Sequence, residues 1–147
     1  MKIENHLESY KEHRETIFDW ALKVKGLKNS QRVIGLHASR GIIDLLMVYL
    51  LKKGVIDSGT MINHRWFKHQ KSLKDFCGLK IQRIFKSKSV LERLPEFENK
   101  EEICNEIIAL EILCEDLTYG APKTEEKIKE AILLFNKIGE KLKNEEK

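Results

Sequence analysis

The chain has few residues that interrupt helices, since only two prolines and eight glycines occur among its 147 residues. Lys, Glu, Leu and Ile dominate instead, and such a composition favours helices over short strands joined by turns. The longest apolar run, residues 45–51, is far shorter than the ~20 residues that cross a bilayer. The opening stretch MKIENHLESYKEH has no apolar signal core, so we expect a cytoplasmic protein that does not insert into a membrane.

Cysteine is also scarce, and its pattern gives no support to a disulfide framework or a closed zinc site. Cys77, Cys104 and Cys114 are odd in number and form no CxxC pair, so we expect them to be buried thiols. The sequence also lacks a Gly-rich phosphate loop, a nucleophile elbow and an HExxH motif. We therefore expect neither a bound metal nor a cofactor.

Charge is abundant but unevenly distributed along the chain. Charged residues make up 34% of the sequence and hydrophobic residues 41%, a balance that is typical of one soluble globular domain. Residues 61–90 carry eight basic side chains against one acidic, whereas residues 91–118 carry nine acidic against two basic. Either the two blocks neutralise each other in the fold or in a dimer, or the basic block faces a phosphate backbone.

Apolar residues recur at intervals of three and four along most of the chain, which predicts amphipathic helices. The predicted helices are residues 3–25 ending at Gly26; residues 30–53 with Ser30 as N-cap and Gly54 as terminator; a shorter helix from about Thr60; a helix from the N-cap Asn99, with Glu102 in a capping box, to the stretch LTYGAP; and a last helix after Thr124. We predict an all-α, up-and-down bundle of four to five main helices plus short helices. It forms one domain over residues 1–147, with a frayed tail from about residue 143. Gly35 and Gly41, inside the second helix, indicate close approach of another backbone or side chain.

The segment HASRGIIDLLMVYLLKKG, residues 37–54, places three polar residues within an apolar helix. His37, Arg40 and Asp44 are three, four and seven residues apart, so they share one face of that helix. Arg40 and Asp44, four residues apart, can form a bidentate ion pair, although in the less favourable order for the helix dipole. The triplet is either a satisfied polar layer that fixes the register of the bundle, or a site in which Arg40 holds phosphate and His37 transfers a proton.

Two further groups of basic residues are candidates for phosphate binding. Arg32 and His37 have a spacing that certain RNases use, although a regular helix places the two side chains ~140° apart. The second group comprises His64, Arg65, Lys68 and His69. Basic groups beside Trp66 and Phe67 can bind and stack on nucleic acid, whereas such aromatic residues more often lie in the core.

The order of these features is similar to that of a known family. The stretches SQRVIGLHASRGIIDLLMVYLLKKG, HRWF, CEDLTYG and EEKIKEAILLFNKIGEKL resemble the HEPN superfamily, the higher eukaryote and prokaryote nucleotide-binding domains. The resemblance spans roughly residues 30–142 and applies particularly to small prokaryotic members encoded beside minimal nucleotidyltransferases. Residues 116–120 resemble the Asp-Tyr element that precedes the final helix of those proteins.

The resemblance implies a helical bundle, usually a homodimer, that binds RNA or a nucleotide and pairs with a minimal nucleotidyltransferase in a toxin-antitoxin system. The alternative that it implies is a metal-independent RNase toxin, in which a histidine assists attack of a ribose 2′-hydroxyl on the adjacent phosphate. A purely structural dimerisation module is the third alternative. The catalytic candidates are His37 and Arg40, and the candidates for nucleic-acid or nucleotide binding are Arg32, Asp44, His64, Arg65, Lys68, His69, Asp116 and Tyr119.

Overall fold

The computed structural model describes residues 2–67 and 90–144, and within these ranges the chain forms helices and loops without any strand. The elements are α1 (Ile3–Glu15), a π-helical segment (Thr16–Lys25), a 3-10 turn (Lys28–Ser30), α2 (Gln31–Lys52), α3 (Val90–Arg93), α4 (Lys100–Tyr119) and α5 (Glu125–Asn144). The predicted all-α bundle is confirmed. The long helices follow the predicted bounds closely, and α5 continues through Asn144, beyond the predicted start of a frayed tail.

Helix α2 lies at the centre of the bundle, where it packs against α1, α4 and α5. Residues 45–50 are all buried because this helix meets other helices on most of its circumference. By length and composition the helical stretch Lys28–Lys52 could cross a membrane, and 72% of its apolar window is buried inside the bundle. A mostly buried core helix passes the same test, so this finding is weak support for a membrane span.

Glycines end two of the helices, as predicted. Gly26 follows the π-helical segment with a φ of 83°, and Gly54 follows α2 with a φ of 70°. Both angles lie in the left-handed region, which glycine adopts without the steric penalty of a side chain. The helical conformation therefore ends at these two positions without strain.

The predicted helix starts at Ser30 and Asn99 are correct, but the side chains are used differently. The Ser30 hydroxyl donates to two carbonyl oxygens of the preceding turns, at 2.9 and 2.6 Å, and not to the first turn of α2. Asn99 has no side-chain cap bond, and Glu102 accepts a hydrogen bond from Lys141 of α5 at 2.6 Å. The predicted capping box is therefore wrong, because a partner on another helix takes the Glu102 carboxylate.

The loop after α2 is ordered by one aspartate. Oδ1 of Asp57 accepts hydrogen bonds from the amide of Gly59 at 2.9 Å and from the hydroxyl of Thr60 at 3.2 Å. These bonds hold a turn where a helix was predicted, and helical conformation begins at Arg65 instead. Phe67 is fully buried, as expected for an aromatic residue of the core.

Two glycines of α2 allow neighbouring helices to approach closely, which confirms the prediction for Gly35 and Gly41. A Cβ atom on Gly35 would lie 2.8 Å from the carbonyl oxygen of Cys114 in α4. A Cβ atom on Gly41 would lie 3.2 Å from Cβ of His13 in α1. The absence of side chains at these positions brings α4 and α1 near enough for polar side chains of neighbouring helices to meet.

The cysteines are buried thiols where the structure describes them. Cys104 and Cys114 are free and buried, and Cys77 lies outside the described residues. Burial raises the pKa of Cys104 to about 11 and raises the pKa of Cys114 well above its ordinary value. Both thiols therefore stay protonated and unreactive at neutral pH.

Candidate functional site

Three polar residues of α1 face the polar triplet of α2. His6, Ser9 and His13 are three, four and seven residues apart, which is the spacing of the triplet itself. Because this spacing keeps side chains on one face of a helix, α1 presents a polar stripe to α2. We use the name Asp44 cluster for His6, Ser9, His13, His37 and Asp44.

Asp44 is the central acceptor of this cluster. Its Oδ1 lies 2.9 Å from Nδ1 of His6, and its Oδ2 accepts a hydrogen bond from the Ser9 hydroxyl at 2.6 Å. An ionised carboxylate can only accept hydrogen bonds, so Nδ1 of His6 carries the proton. The second ring nitrogen of His6, Nε2, is buried and has no hydrogen-bond partner among the residues that the structure describes.

The rings of His13 and His37 form a pair beside Asp44. Their Nδ1 atoms are 2.8 Å apart, and Nε2 of His13 lies 3.7 Å from Oδ2 of Asp44. The carboxylate favours a proton on Nε2 of His13, so Nδ1 of His13 accepts the hydrogen that His37 donates. Desolvation by burial lowers the pKa of His13 against the opposing effect of the Asp44 carboxylate. Desolvation, followed by the nearby His13 ring, lowers the pKa of His37.

Arg40 does not pair with Asp44, so the ion pair that the spacing allows is not formed. Both oxygens of Asp44 accept from donors on α1 instead. An arginine four residues before an aspartate is also the less favourable order for a pair on a helix. The Arg40 side chain is exposed, and within residues 2–67 and 90–144 it has no hydrogen-bond or ion-pair partner. Its guanidinium is therefore available to a ligand.

A second carboxylate lies on the side of α2 that faces α4. Oε2 of the buried Glu111 accepts a hydrogen bond from the Ser39 hydroxyl at 2.7 Å, and Oε1 lies 3.2 Å from Nδ1 of His64. We use the name Glu111 cluster for Ser39, His64 and Glu111. The same argument as for Asp44 places a proton on Nδ1 of His64, so Nε2, on the far edge of the ring, is the acceptor in the neutral form.

Two cavities meet at Arg40. A groove of about 790 Å³ extends along the Asp44 cluster to His64, and a cavity of about 90 Å³ lies beside the Glu111 cluster. Arg40, His64 and Arg65 line both. The apolar wall of the groove comprises Ile43, Met47, Met61, Ile62 and Trp66. The groove therefore combines cationic and proton-accepting groups with apolar surface, and its volume is within the about 300–1,000 Å³ of sites for small organic molecules.

His37 and Arg32 lie away from this groove. His37 lies behind His13 and lines neither of the two cavities, which does not support its predicted role in direct proton transfer to a ligand. Arg32 donates from Nη1 to the carbonyl oxygen of Thr118 at 2.7 Å. It thereby satisfies one of the carbonyl groups that the end of α4 leaves without a helical partner. Arg32 also lines a separate surface cavity.

The candidates in the last turn of α4 and in the basic block are placed as follows. Tyr119 is exposed and lines the smaller cavity, whereas Asp116 is half-buried and lines neither cavity. His64 and Arg65 are brought to Arg40 as described above. Lys68 and His69 lie outside the described residues.

The sequence analysis did not identify the residues that complete the two clusters. On α1, the polar spacing of His6, Ser9 and His13 was a usable signal, because it repeats the spacing of the triplet. Ser39 and Glu111 gave no such signal, because they lie on different helices and their other partner, His64, lies in a third segment of the chain. No group of three or more His, Cys, Asp or Glu side chains in the described part of the chain could hold a metal ion.

Comparison with protein-family models, with curated proteins and with solved structures finds no match to this chain. Function is therefore inferred from the side-chain chemistry of the two clusters and the groove between them. The resemblance in sequence provides the class of ligand against which that chemistry can be tested.

Proposed function

We propose that the groove binds the phosphate of an RNA strand or of a nucleotide, and that the chain is a HEPN-like component of a pair with a minimal nucleotidyltransferase. Arg40 carries this proposal, because its exposed guanidinium lies where the two cavities meet and Arg65 lines the same two cavities. The planar fork of a guanidinium matches two phosphate oxygens, and two such groups provide a stronger site than one.

The apolar wall supports a nucleotide rather than inorganic phosphate as the ligand. Met61 and Trp66 offer surface on which a base can lie while its phosphate contacts Arg40. The Trp66 ring is half-buried and already has the guanidinium of Arg93 at 5.2 Å from its centroid. Stacking of a base on an aromatic ring contributes about 1–3 kcal/mol to binding, with little preference among bases.

Homodimer formation and the nucleotidyltransferase partner are supported by the resemblance in sequence. A purely structural dimerisation module is less well supported, because such a role needs Arg40 inside a satisfied polar layer and its side chain is exposed. The partner is tested by the neighbouring gene and by co-expression. We expect a reading frame for a small nucleotidyltransferase beside this one and co-purification of the two proteins. Separate elution of the two chains would contradict the pairing.

Fluorescence anisotropy with a labelled single-stranded RNA, in the presence of EDTA, tests the binding site. Arg40→Ala is expected to weaken binding roughly tenfold, because a charge-assisted contact to phosphate is lost. The matched control is Lys129→Ala, which removes an exposed positive charge of α5 that lines neither cavity. We expect a change of less than about twofold for this variant.

Two results would contradict the proposed function. One is an absence of RNA and nucleotide binding by the folded wild-type protein at low salt. The other is an equal loss of affinity in Arg40→Ala and Lys129→Ala, which would indicate attraction by net charge and no defined site.

A metal-independent RNase is a second candidate, favoured by the rings of His13 and His64 on the same groove as Arg40. Cleavage would begin when a neutral imidazole takes the proton of a ribose 2′-hydroxyl. The 2′-oxygen would attack the adjacent phosphorus, and the 5′-oxygen of the next nucleotide would leave with a proton from an imidazolium. A 2′,3′-cyclic phosphate and a 5′-hydroxyl end are the products.

Incubation of the protein with mixed RNA and EDTA tests this second candidate. We expect cleavage in the wild type and its loss in Arg40→Ala and His64→Ala. His37→Ala should retain most activity, because His37 lines neither cavity. Intact RNA at high protein concentration would contradict the RNase and leave the binding module.

A further inference from the structure

His64 differs from the other groups at the groove in the type of hydrogen bond that it offers. Arg40 and Arg65 can only donate, so they suit phosphate oxygens. Nε2 of His64 is an acceptor, because the buried Glu111 carboxylate keeps the proton on Nδ1. A ligand that contacts all three side chains must therefore present both an anion and a hydrogen-bond donor.

The Glu111 cluster holds this acceptor in a fixed orientation. Glu111 has both oxygens occupied, one by the Ser39 hydroxyl at 2.7 Å and one by His64 at 3.2 Å. Its side chain is 6% exposed, whereas the His64 side chain is 23% exposed. The carboxylate is therefore shielded from solvent, and the ring that it orients is open to the cavities.

We propose that His64, positioned by Glu111 and Ser39, accepts a hydrogen bond from the 2′-hydroxyl of a bound ribonucleotide and makes the groove selective for RNA over DNA. This inference rests on the proposed phosphate site at Arg40. In a nucleic acid, the 2′-hydroxyl is a donor close to the phosphate, and it is the group that distinguishes ribose from deoxyribose. An acceptor beside a phosphate-binding arginine is suited to that difference.

The inference is tested by titrating the protein with two oligonucleotides that contain only adenine and cytosine, one of ribose and one of deoxyribose. With these bases the two ligands differ only at the 2′-position. We expect the wild type to bind the ribo-oligonucleotide roughly tenfold more tightly, which corresponds to one hydrogen bond. His64→Asn keeps an N–H group that can donate to Glu111 and removes the acceptor at the position of Nε2. Its ratio of ribo to deoxyribo affinity is expected to fall close to one, through a loss of ribo affinity.

Two further variants separate hydrogen bonding from folding. His64→Gln places an amide oxygen near the position of Nε2 and is expected to restore part of the ribo preference. Glu111→Gln replaces the carboxylate by an amide that no longer requires a proton on Nδ1 of His64. We expect its ratio of ribo to deoxyribo affinity to lie between that of the wild type and one, because part of the His64 rings then carry the proton on Nε2 and cannot accept there.

The outcomes distinguish this inference from the proposed function. If the wild type binds neither oligonucleotide, the phosphate site fails and the inference fails with it. Equal binding of the two oligonucleotides overturns the inference and leaves the phosphate site intact. An equal loss of both affinities in His64→Asn would also overturn it, and a wild-type ratio in Glu111→Gln would overturn the positioning role of Glu111.

Discussion

The Asp44 and Glu111 clusters use the same parts in opposite settings. In each, one carboxylate oxygen accepts from a serine and the other accepts from Nδ1 of a histidine. In the Asp44 cluster the carboxylate side chain is 17% exposed and the His6 side chain 9%, whereas Glu111 is 6% exposed and His64 23%. Of the two carboxylate–histidine pairs, the pair of Asp44 and His6 has the histidine as its more buried member, and the pair of Glu111 and His64 has the carboxylate.

The same donors and acceptors can therefore have different roles, depending on whether the histidine or the carboxylate is exposed to solvent. In the Asp44 cluster the carboxylate on α2 accepts hydrogen bonds from two side chains of α1, so the cluster joins these two helices. The Glu111 cluster fixes a ring that a ligand can reach, so it is suited to recognition. Arg40 lines the cavity next to each of the two clusters.

The largest effect is expected from closing the gap between α2 and α4, on the side of the Glu111 cluster. A Cβ atom on Gly35 would lie 2.6 Å from Oγ1 of Thr118 and 2.8 Å from the carbonyl oxygen of Cys114. Because a backbone atom cannot give way easily, Gly35→Ala should lower the free energy of unfolding by about 3 kcal/mol.

Gly41→Ala is the matched variant on the side of the Asp44 cluster. Its Cβ would meet Cβ of His13 at 3.2 Å, and the better helix propensity of alanine, about 1 kcal/mol, offsets part of the cost. We expect a loss below about 1.5 kcal/mol in urea unfolding. Equal stability of Gly35→Ala and Gly41→Ala would contradict the described packing of α4 against α2.

Removing the carboxylate of the structural cluster is expected to have the next largest effect. Asp44→Ala leaves Nδ1 of His6 and the hydroxyl of Ser9 as donors without their acceptor, which should cost about 2–3 kcal/mol of unfolding free energy. The control is Asp19→Ala, which removes an exposed carboxylate that is paired with Lys23 and should cost less than about 0.5 kcal/mol. Similar losses in the two variants would show that the Asp44 cluster does not hold α1 to α2.

The two histidines that the carboxylates orient are predicted to differ in binding. His6→Asn keeps a donor for Asp44 and should change the ratio of ribo to deoxyribo affinity less than about twofold, since the lost Nε2 atom is buried. His64→Asn should reduce the same ratio roughly tenfold, because the lost atom is the acceptor for the ligand. If His6→Asn lost the preference for the ribo-oligonucleotide and His64→Asn kept it, the roles assigned to the two clusters would be reversed.

The smallest expected effect is the pH dependence of stability that arises from the His13–His37 pair. Desolvation lowers both pKa values below their ordinary value of 6.5, so the unfolded chain binds more protons as the pH falls through that value. This contribution to stability is fully present above about pH 7 and is lost as the pH falls below about 6.5. The free energy of unfolding, measured with urea, should decrease between about pH 7.5 and about pH 5.5 in the wild type. This decrease should be smaller in His37→Asn. An increase in wild-type stability as the pH falls over this range would contradict the claim that folding lowers the pKa values of His13 and His37.

The backbone elements were largely predictable, because apolar periodicity and left-handed glycines are local signals. The π-helical segment was not, since residues 16–25 have helical periodicity in either type of turn. Within this segment Ile17 and Ala21 are buried, whereas Val24 is 70% exposed. Packing against α2 therefore decides a feature that the local sequence leaves open.

The candidate site was predictable only where polar residues stand out within an apolar run. The triplet of α2 was found for this reason. The partners of Asp44 were not found, because they lie on α1 and the spacing within α2 indicates only Arg40 as a neighbour. Glu111 is buried and meets Ser39 and His64 from two other segments of the chain. Contacts between residues so distant in sequence are decided by the packing of the helices, and no local pattern indicates them.

Nitrogen-15 NMR of the arginine and histidine side chains during titration with the adenine and cytosine ribo-oligonucleotide tests the central claim most directly. In the free protein we predict a proton on Nδ1 and none on Nε2 for the neutral rings of His6 and His64. On binding, the resonances of Arg40 Nε and His64 Nε2 should shift, whereas those of His6 should stay unchanged. Saturable binding that leaves the Arg40 and His64 resonances in place would contradict the assignment of the groove as the ligand site.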